Sequence, residues 1–265
     1  MTMPTDSSNF RTLFSHDGIP LAGDCRGGGQ PLLLFVHGWT CRRRYWLPQL
    51  EYFAGTHAVA APDLPGHGDS GMGSRSRWGV ESFALDVAAC VDTLQAEKVV
   101  LIGHSMGGAV ALEAARRLGA TVAAVVLVDT FVIDYGGLPP ETVQAIATPF
   151  AEDFAAAMTA LVAQTATAAT PPALKAQLIR EMSAADPAWA LPAWRDLLSW
   201  SPAAAFAELR MPIHAINGAL IPDSVRERCA PFVTETIIPG AGHFLQMEDP
   251  SNFNLVLETV LARLR

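Results

Sequence analysis

The chain has 265 residues, of which 50% are hydrophobic and 17% charged, and its formal net charge is −8. This length is enough to bury the core of a single α/β domain, and no apolar run is long enough to span a bilayer. The acidic balance and a single short basic run at 42–44 argue against nucleic-acid partners. The N-terminal stretch MTMPTDSSNF has no basic segment followed by an apolar core, so we expect a soluble protein without a secretory signal, located in the cytoplasm.

Nothing in the sequence suggests a metal or a cofactor. The cysteines lack C-x-x-C spacing and have no histidines at ligand distance, which predicts reduced packing residues and no metal site. They are Cys25, Cys41, Cys90 and Cys229. The glycine run at 27–29 precedes a strand instead of following one, so it does not indicate a nucleotide-binding loop. We therefore expect no cofactor, and the oligomeric state stays open.

Strand and helix signals alternate through the first half of the chain. Asp17-Gly18 between two short apolar segments predicts a hairpin of strands at Thr12–Ser15 and Ile19–Asp24. Pro31–Val36 (PLLLFV) is apolar throughout, which is typical of a strand buried on both faces of a sheet. The elements predicted next, in chain order, are a helix over Tyr45–Phe53, a strand over His57–Ala61, a helix over Val80–Leu94, a strand over Val99–Ile102, a helix over Ala109–Leu118 and a strand over Val122–Val128.

The pattern changes after the strand that ends at Val128. Residues 131–200 are alanine-rich helical segments broken by prolines, and we interpret them as a helical lid. Alternation then resumes, with predicted elements at Pro212–Asn217, Ser224–Ala230, Glu235–Ile238 and Phe253–Leu264. The sequence thus predicts one α/β domain over 1–265, with a mostly parallel central sheet covered by helices on both faces. Its core would be 1–130 and 201–265, with the lid inserted after Asp129.

One stretch, VVLIGHSMGGAVALEA at 99–114, combines a buried strand, a small-residue turn and a helix. Its turn fits the G-x-S-x-G pattern, in which the glycines allow a sharp strand-to-helix turn that exposes the hydroxyl of the serine. The alternative is a glycine-rich turn whose serine only caps the helix. The flanking strand and helix are those that the pattern requires, so we predict that Ser105 is a nucleophile.

Four motifs together resemble those of the α/β-hydrolase superfamily, in its lid-bearing serine hydrolase branch. HGWT at 37–40 is similar to the oxyanion loop of that family, and DLPGHGDS at 63–70 to the turn after its next strand. GHSMGG at 103–108 is similar to the nucleophile elbow, and PGAGHF at 239–244 to the loop with the catalytic histidine. The motifs occur in the family's order over nearly the whole chain, so the resemblance implies the same fold.

The resemblance also implies roles for particular residues. A serine hydroxyl needs an imidazole to accept its proton, and His243 is the candidate base for Ser105. His37, His67 and His104 are rivals, although His104 would point away and His37 would brace its own loop.

The tetrahedral intermediate of such a reaction needs two hydrogen-bond donors. In the family pattern these are backbone N–H groups, which map here to Trp39 and Met106. Neither side chain is required for this role, and the ring of Trp39 could also shape the substrate pocket.

The sequence departs from the family pattern at the third member of the triad. The usual acid would fall about three residues after Gly218, where Ile221 stands. Asp223 is nearby but is better placed to cap the following helix. Asp129, which ends the strand after the elbow helix, is the alternative position known in some members, and we favour it as the acid. Asp223, Asp134 or no acid at all stay open.

The resulting hypothesis is a cofactor-independent serine hydrolase that cleaves an ester, lactone or related acyl bond of a small apolar or amphipathic molecule. Two alternatives stay open: a cofactor-free dioxygenase of an N-heteroaromatic ring that uses the His-Asp pair, and a non-catalytic ligand receptor. The predicted substrate-binding residues are Trp39, His104, Phe131, Trp189 and Trp194.

Overall fold

The computed structural model describes residues 10–264. Residues 1–9, which form most of the stretch tested above for a secretory signal, lie outside the described residues. Among the described residues, none of the helices combines the length and the apolar character needed to cross a bilayer. The cytoplasmic location stays a prediction.

The described chain contains a single sheet and helices on both sides of it. The strands are β1 (Phe10–Phe14), β2 (Pro20–Arg26), β3 (Leu32–Val36), β4 (Val59–Pro62), β5 (Val99–His104), β6 (Val122–Val128), β7 (Ile213–Asn217) and β8 (Thr234–Ile237). The helices are α1 (Leu47–Phe53), α2 (Val80–Thr93), α3 (Met106–Leu118), α4 (Pro140–Glu152), α5 (Phe154–Gln164), α6 (Pro172–Met182), α7 (Pro187–Ser199), α8 (Ala203–Glu208), α9 (Asp223–Cys229), α10 (Leu245–Glu248) and α11 (Pro250–Arg263).

The sheet has eight strands in the order β1-β2-β4-β3-β5-β6-β7-β8. β1 and β2 form the predicted antiparallel hairpin, and β2 is also antiparallel to β4. All of the other pairs are parallel, as the alternation of strands and helices indicated. The predicted fold class is therefore confirmed, and the carboxyl ends of β3, β5, β6 and β7 lie along one edge of the sheet.

The strand β3 shows why the central strands are apolar throughout. Its side chains alternate between the two faces of the sheet. Leu32, Leu34 and Val36 belong to the apolar cluster that contains α2 and α3. Leu33 and Phe35 belong to the cluster that contains α1 and α11. Both faces of the sheet are thus buried, and every position of the strand must be apolar.

Helices α4–α8 are inserted between β6 and β7. Phe150 of α4, Met158 of α5 and Trp194 of α7 belong to the same apolar cluster as α3 and as Trp39, which follows β3. The inserted helices therefore share their apolar contacts with the carboxyl edge of the sheet. The exact division into core and lid stays a prediction.

Several predicted boundaries differ from the structure. Helix α3 begins at Met106, immediately after Ser105, because the two glycines that follow are part of its first turn. Asp223 was expected to cap the next helix, and this is wrong: Pro222 holds the capping position, Asp223 is the first helical residue, and its side chain makes no capping hydrogen bond. Helices α8 and α10 were not predicted, because segments this short carry no clear 3.6-residue periodicity.

Candidate active site

Ser105 occupies a sharp turn between β5 and α3. Its φ of 53° and ψ of −122° lie in a region that L-residues rarely adopt, which is a strain often found at functional sites. The turn is closely packed, since a Cβ on Gly103 would lie 2.1 Å from the Gly107 carbonyl oxygen, and a Cβ on Gly107 would lie 2.3 Å from that of Val36. Only glycine fits at these two positions, so the sequence pattern and the turn geometry agree.

The loop after β3 lies directly against Ser105. A Cβ on Gly38 would be 3.2 Å from the Cβ of Ser105. His37 braces this loop as expected, because the Leu64 N–H donates to its Nε2 at 3.0 Å and its Nδ1 donates to the Gly38 carbonyl oxygen at 2.8 Å. Burial lowers the pKa of His37, which favours the neutral ring that these bonds require.

The predicted oxyanion donors flank this contact. Met106 is the first residue of α3, and the first N–H groups of a helix have no acceptor within that helix. Trp39 follows Gly38, and its ring is fixed from the lid side: its Nε1–H donates to the Ala190 carbonyl oxygen at 2.9 Å, and it stacks on Trp194 at a centroid distance of 4.5 Å. The backbone of Trp39 is thus held beside the serine turn.

His243 and Asp129 form a buried pair. The Nδ1 of His243 lies 2.7 Å from Oδ2 of Asp129, and the two residues are 6% and 0% exposed. The other carboxylate oxygen, Oδ1, accepts the Gly218 N–H at 2.7 Å. Asp129 directly follows β6 and has a φ of 47°, so it joins Ser105 and Thr40 as non-glycine residues with a positive φ after the strands at this edge of the sheet. These two hydrogen bonds compensate the fully buried carboxylate of Asp129 for the water that it no longer contacts.

The rival acids lie elsewhere. Asp223 is exposed in the first turn of α9, and Asp134 is paired with Arg228. Ile221, which holds the position where the family usually has its acid, is buried in the apolar cluster of α3. The loop after β7 instead contributes the Gly218 N–H, and a Cβ on Gly218 would lie 2.6 Å from the Ala241 carbonyl oxygen in the loop that precedes His243.

His104 supports the backbone of His243. Its Nε2–H donates to the His243 carbonyl oxygen at 2.8 Å, and the two rings lie 4.6 Å apart. Burial, together with the nearby ring of His243, lowers the pKa of His104 well below its usual value. His104 is therefore neutral and holds the position of its neighbour. His67 lies further away, against His37 and Trp189.

Ser105 and His243 line the same cavity, whose volume, including its open mouth, is about 420 Å³. Of the predicted substrate-binding residues, Trp39, His104 and Trp194 line it. Phe131 does not, because it lines a separate cavity next to α9. Trp189 does not either, because it is 2% exposed and packs on His67 at 4.1 Å. Both were therefore wrong as lining residues of this cavity, because Phe131 packs among Tyr135, Trp200 and Phe206, and Trp189 packs against His67 and Trp78.

The cavity also contains residues that the sequence did not indicate as ligand contacts. They are Cys41, Val132, Ile133, Leu161, Thr165, Met182 and Phe244. Thr165, at the end of α5, is the most informative, because its carbonyl oxygen accepts the His243 N–H at 2.9 Å. This contact uses the backbone, so no residue type in the sequence could have predicted it.

A polar cluster beside the β1–β2 hairpin lies outside this region. His16, Asp17 and Asp86 lie close enough together to be considered as metal ligands. However, Arg75 donates to Asp17 Oδ1 at 2.7 Å and to Asp86 Oδ2 at 2.6 Å, and it lowers the pKa of Asp17. The guanidinium of Arg75 therefore pairs with both carboxylates, and the cluster is an ion-pair network that ties the β1–β2 hairpin to α2.

The fold defines the class of this protein, and comparison with known proteins agrees. Residues 33–254 match the model of the alpha/beta hydrolase family. The chain belongs to this family. A solved structure of a thermophilic esterase from Thermogutta terrifontis superposes with a TM-score of 0.83 and 25% identity, covering 96% of this chain and 98% of that one.

Curated relatives match over shorter segments. Lipase LipV of Mycobacterium tuberculosis is 36% identical over 118 residues, which are 44% of this chain and 44% of the relative. A dihydrolipoyllysine-residue acetyltransferase component of an acetoin cleaving system from Cupriavidus necator is 37% identical over 112 residues, 42% of this chain and 30% of the relative. The chain thus spans less than half the length of these curated relatives.

Proposed function

We propose that the protein is a cofactor-independent serine hydrolase that cleaves a carboxylic ester or lactone through an acyl-enzyme on Ser105. The observation that carries this proposal is the buried Asp129–His243 pair in the wall of the cavity that also holds Ser105. The names of two similar proteins, an esterase and a lipase, support ester cleavage.

The proposed roles follow from the hydrogen bonds. The His243 Nδ1–H donates to Asp129, so this ring nitrogen keeps its proton and Nε2 is left to accept one. The Ser105 Oγ attacks the carbonyl carbon, its proton passes to Nε2, and the carbonyl π electrons move to the oxygen. The backbone N–H groups of Trp39 and Met106 stabilise that oxyanion.

The intermediate then collapses. The bond to the leaving oxygen breaks, and this oxygen takes the proton from His243, which leaves an acyl ester on Ser105. Water attacks the acyl carbon while His243 removes a proton from it, and the second collapse returns the proton to Ser105 and releases the acid.

The test is turnover of 4-nitrophenyl acetate by matched serine variants. Ser105→Ala should lower kcat/KM by at least about 10³-fold, whereas Ser251→Ala, at an exposed position in the first turn of α11, should leave it unchanged. Full activity of Ser105→Ala would overturn the proposal. Oxygen consumption with a hydroxyquinolone, or tight ligand binding without any ester turnover, would overturn it as well, in favour of the two alternatives above.

A further inference from the structure

A second cavity lies directly beside the cavity of Ser105. We call it the α4–α5 groove, because one face of α4 and one face of α5 form its walls, together with Val132, Ile133 and Leu220. Including its open mouth, it has an empty volume of about 1110 Å³. Along α5 it follows residues 157–164, which corresponds to roughly 10 Å of helix.

The groove and the cavity of Ser105 have a common wall. Val132, Ile133, Leu161, Thr165 and Trp194 line both. These shared residues are buried or half-buried, so they form the inner end of the groove. The groove therefore adjoins the candidate catalytic cavity, and these side chains lie between the two.

The other end of the groove opens to solvent. Its lining residues Ala145, Pro149, Ala160 and Gln164 are exposed. One direction in which a molecule too long for the cavity of Ser105 can extend is therefore past the common wall, between α4 and α5.

The chemistry of the lining selects the occupant. None of the residues that line the groove is charged, and its polar ones are only Gln164 and Thr165. Such a surface offers almost no hydrogen bonds, and covering it with apolar atoms is favourable because it removes apolar surface from water. A charged or heavily hydroxylated group would lose water there without compensation.

We propose that the α4–α5 groove binds an alkyl chain of the substrate, so that the enzyme prefers esters with a medium-length or long chain. This inference rests on the proposed function, since it places the ester carbonyl at Ser105. Each methylene that enters the groove should raise kcat/KM roughly fourfold until the groove is full.

The chain could belong to the acyl or to the alcohol part of the ester, and two substrate series distinguish them. In 4-nitrophenyl alkanoates from acetate to dodecanoate the acyl part grows, and in alkyl acetates from ethyl to dodecyl the alcohol part grows. We expect kcat/KM to rise with length in one series. A value that falls or stays flat with length in both would overturn the inference and leave the proposed function intact.

A variant that fills the groove tests whether the preference for a longer alkyl chain arises at this surface. Ala160→Phe should lower kcat/KM for the decanoate ester about tenfold and leave the acetate ester unchanged. If the alcohol series carries the preference, the same comparison applies to decyl and ethyl acetate. Ala163→Phe is the matched control, because Ala163 is exposed on the same helix but does not line the groove. Equal effects of the two variants would contradict the inference.

A binding measurement separates the groove from the chemistry. Decan-1-ol should bind to Ser105→Ala in calorimetry, and the additional Ala160→Phe substitution should weaken this binding about tenfold. If decan-1-ol binds in this way but the unmodified protein turns over no ester, the binding role of the groove would be supported and the proposed function would be overturned. Equal binding with and without Ala160→Phe would show that the chain binds elsewhere.

Discussion

The loops after β6 and β7 are neighbours at the same edge of the sheet, yet they contribute opposite chemistry. The loop after β6 provides a buried carboxylate, Asp129, whereas the loop after β7 provides a backbone donor, Gly218. Ile221, at the position where the family usually has its acid, is instead buried in the apolar cluster of α3, and Gly218 packs closely against the backbone of Ala241 and Gly242. The comparison teaches that in this chain the carboxylate beside His243 comes from the loop after β6, while the loop after β7 supports it through a backbone hydrogen bond.

The largest expected effect on kcat/KM shows which of the two loops provides the acid. Asp129→Asn should lower kcat/KM by about 10⁴-fold, or roughly 5 kcal/mol, because an amide cannot hold the required tautomer of His243. Asp223→Asn should leave the value unchanged, since Asp223 is exposed and helical. Steady-state kinetics with 4-nitrophenyl acetate measures both. The reverse ranking would move the acid to the loop after β7.

Gly218→Ala tests the supporting role of the β7 loop. A Cβ here would lie 2.6 Å from one backbone carbonyl oxygen and 2.7 Å from another, so the backbone must shift and carry the Asp129–His243 pair with it. We expect kcat to fall by about 10²-fold. Gly55→Ala is the matched control, because its Cβ would meet nothing within 4 Å. An unchanged kcat in Gly218→Ala would mean that this contact does not hold the pair in place.

Arg226 of α9 should have a smaller effect through the same loop. Its Nη2 donates to the Gly218 carbonyl oxygen at 3.1 Å and its Nε to that of Ile221 at 3.2 Å. Arg226→Met should lower kcat about fivefold, with KM unchanged, because Arg226 does not line the cavity of Ser105. Arg226→Lys should restore part of this loss. Glu227→Gln, at an exposed position of the same helix, serves as the control, and an equal loss there would point to a general effect on α9.

The smallest expected effect tests whether the two loops act as one unit. In the Asp129→Asn background, Arg226→Met should cost less than about twofold, because its influence reaches the base through Gly218 and Asp129. The kinetics of the double variant measure this coupling. A further fivefold loss would mean that Arg226 acts by a separate route.

The sequence could predict the fold because the information is local. Val122–Val128 is an apolar run ended by Asp129, and the predicted strand has the bounds that the structure gives it. Ser105 and His243 stand in motifs whose glycines the turns require, and the structure brings both residues to one cavity. Their catalytic roles, with that of Asp129, stay predictions that the variants above test.

The rest of the site depends on contacts that no local pattern contains. The Gly218 N–H and the Thr165 carbonyl oxygen are backbone groups, identical in every residue type, and only the fold brings them to Asp129 and His243. For the aromatic residues of the lid, the residue type is informative but the orientation of the ring is not predictable. Their type predicts burial, but Trp194 faces the cavity and Trp189 does not, because orientation is decided by the packing of the helices.

The bond from the His243 N–H to Thr165 has a consequence for protein engineering. Thr167 adds a second tie, since its Oγ1 donates to the Gly240 carbonyl oxygen at 2.8 Å. The segment between β6 and β7 is therefore part of the scaffold of the proposed base. A chimera that replaces this segment with one from another protein, in order to change selectivity, must reproduce both ties or lose turnover together with the old preference.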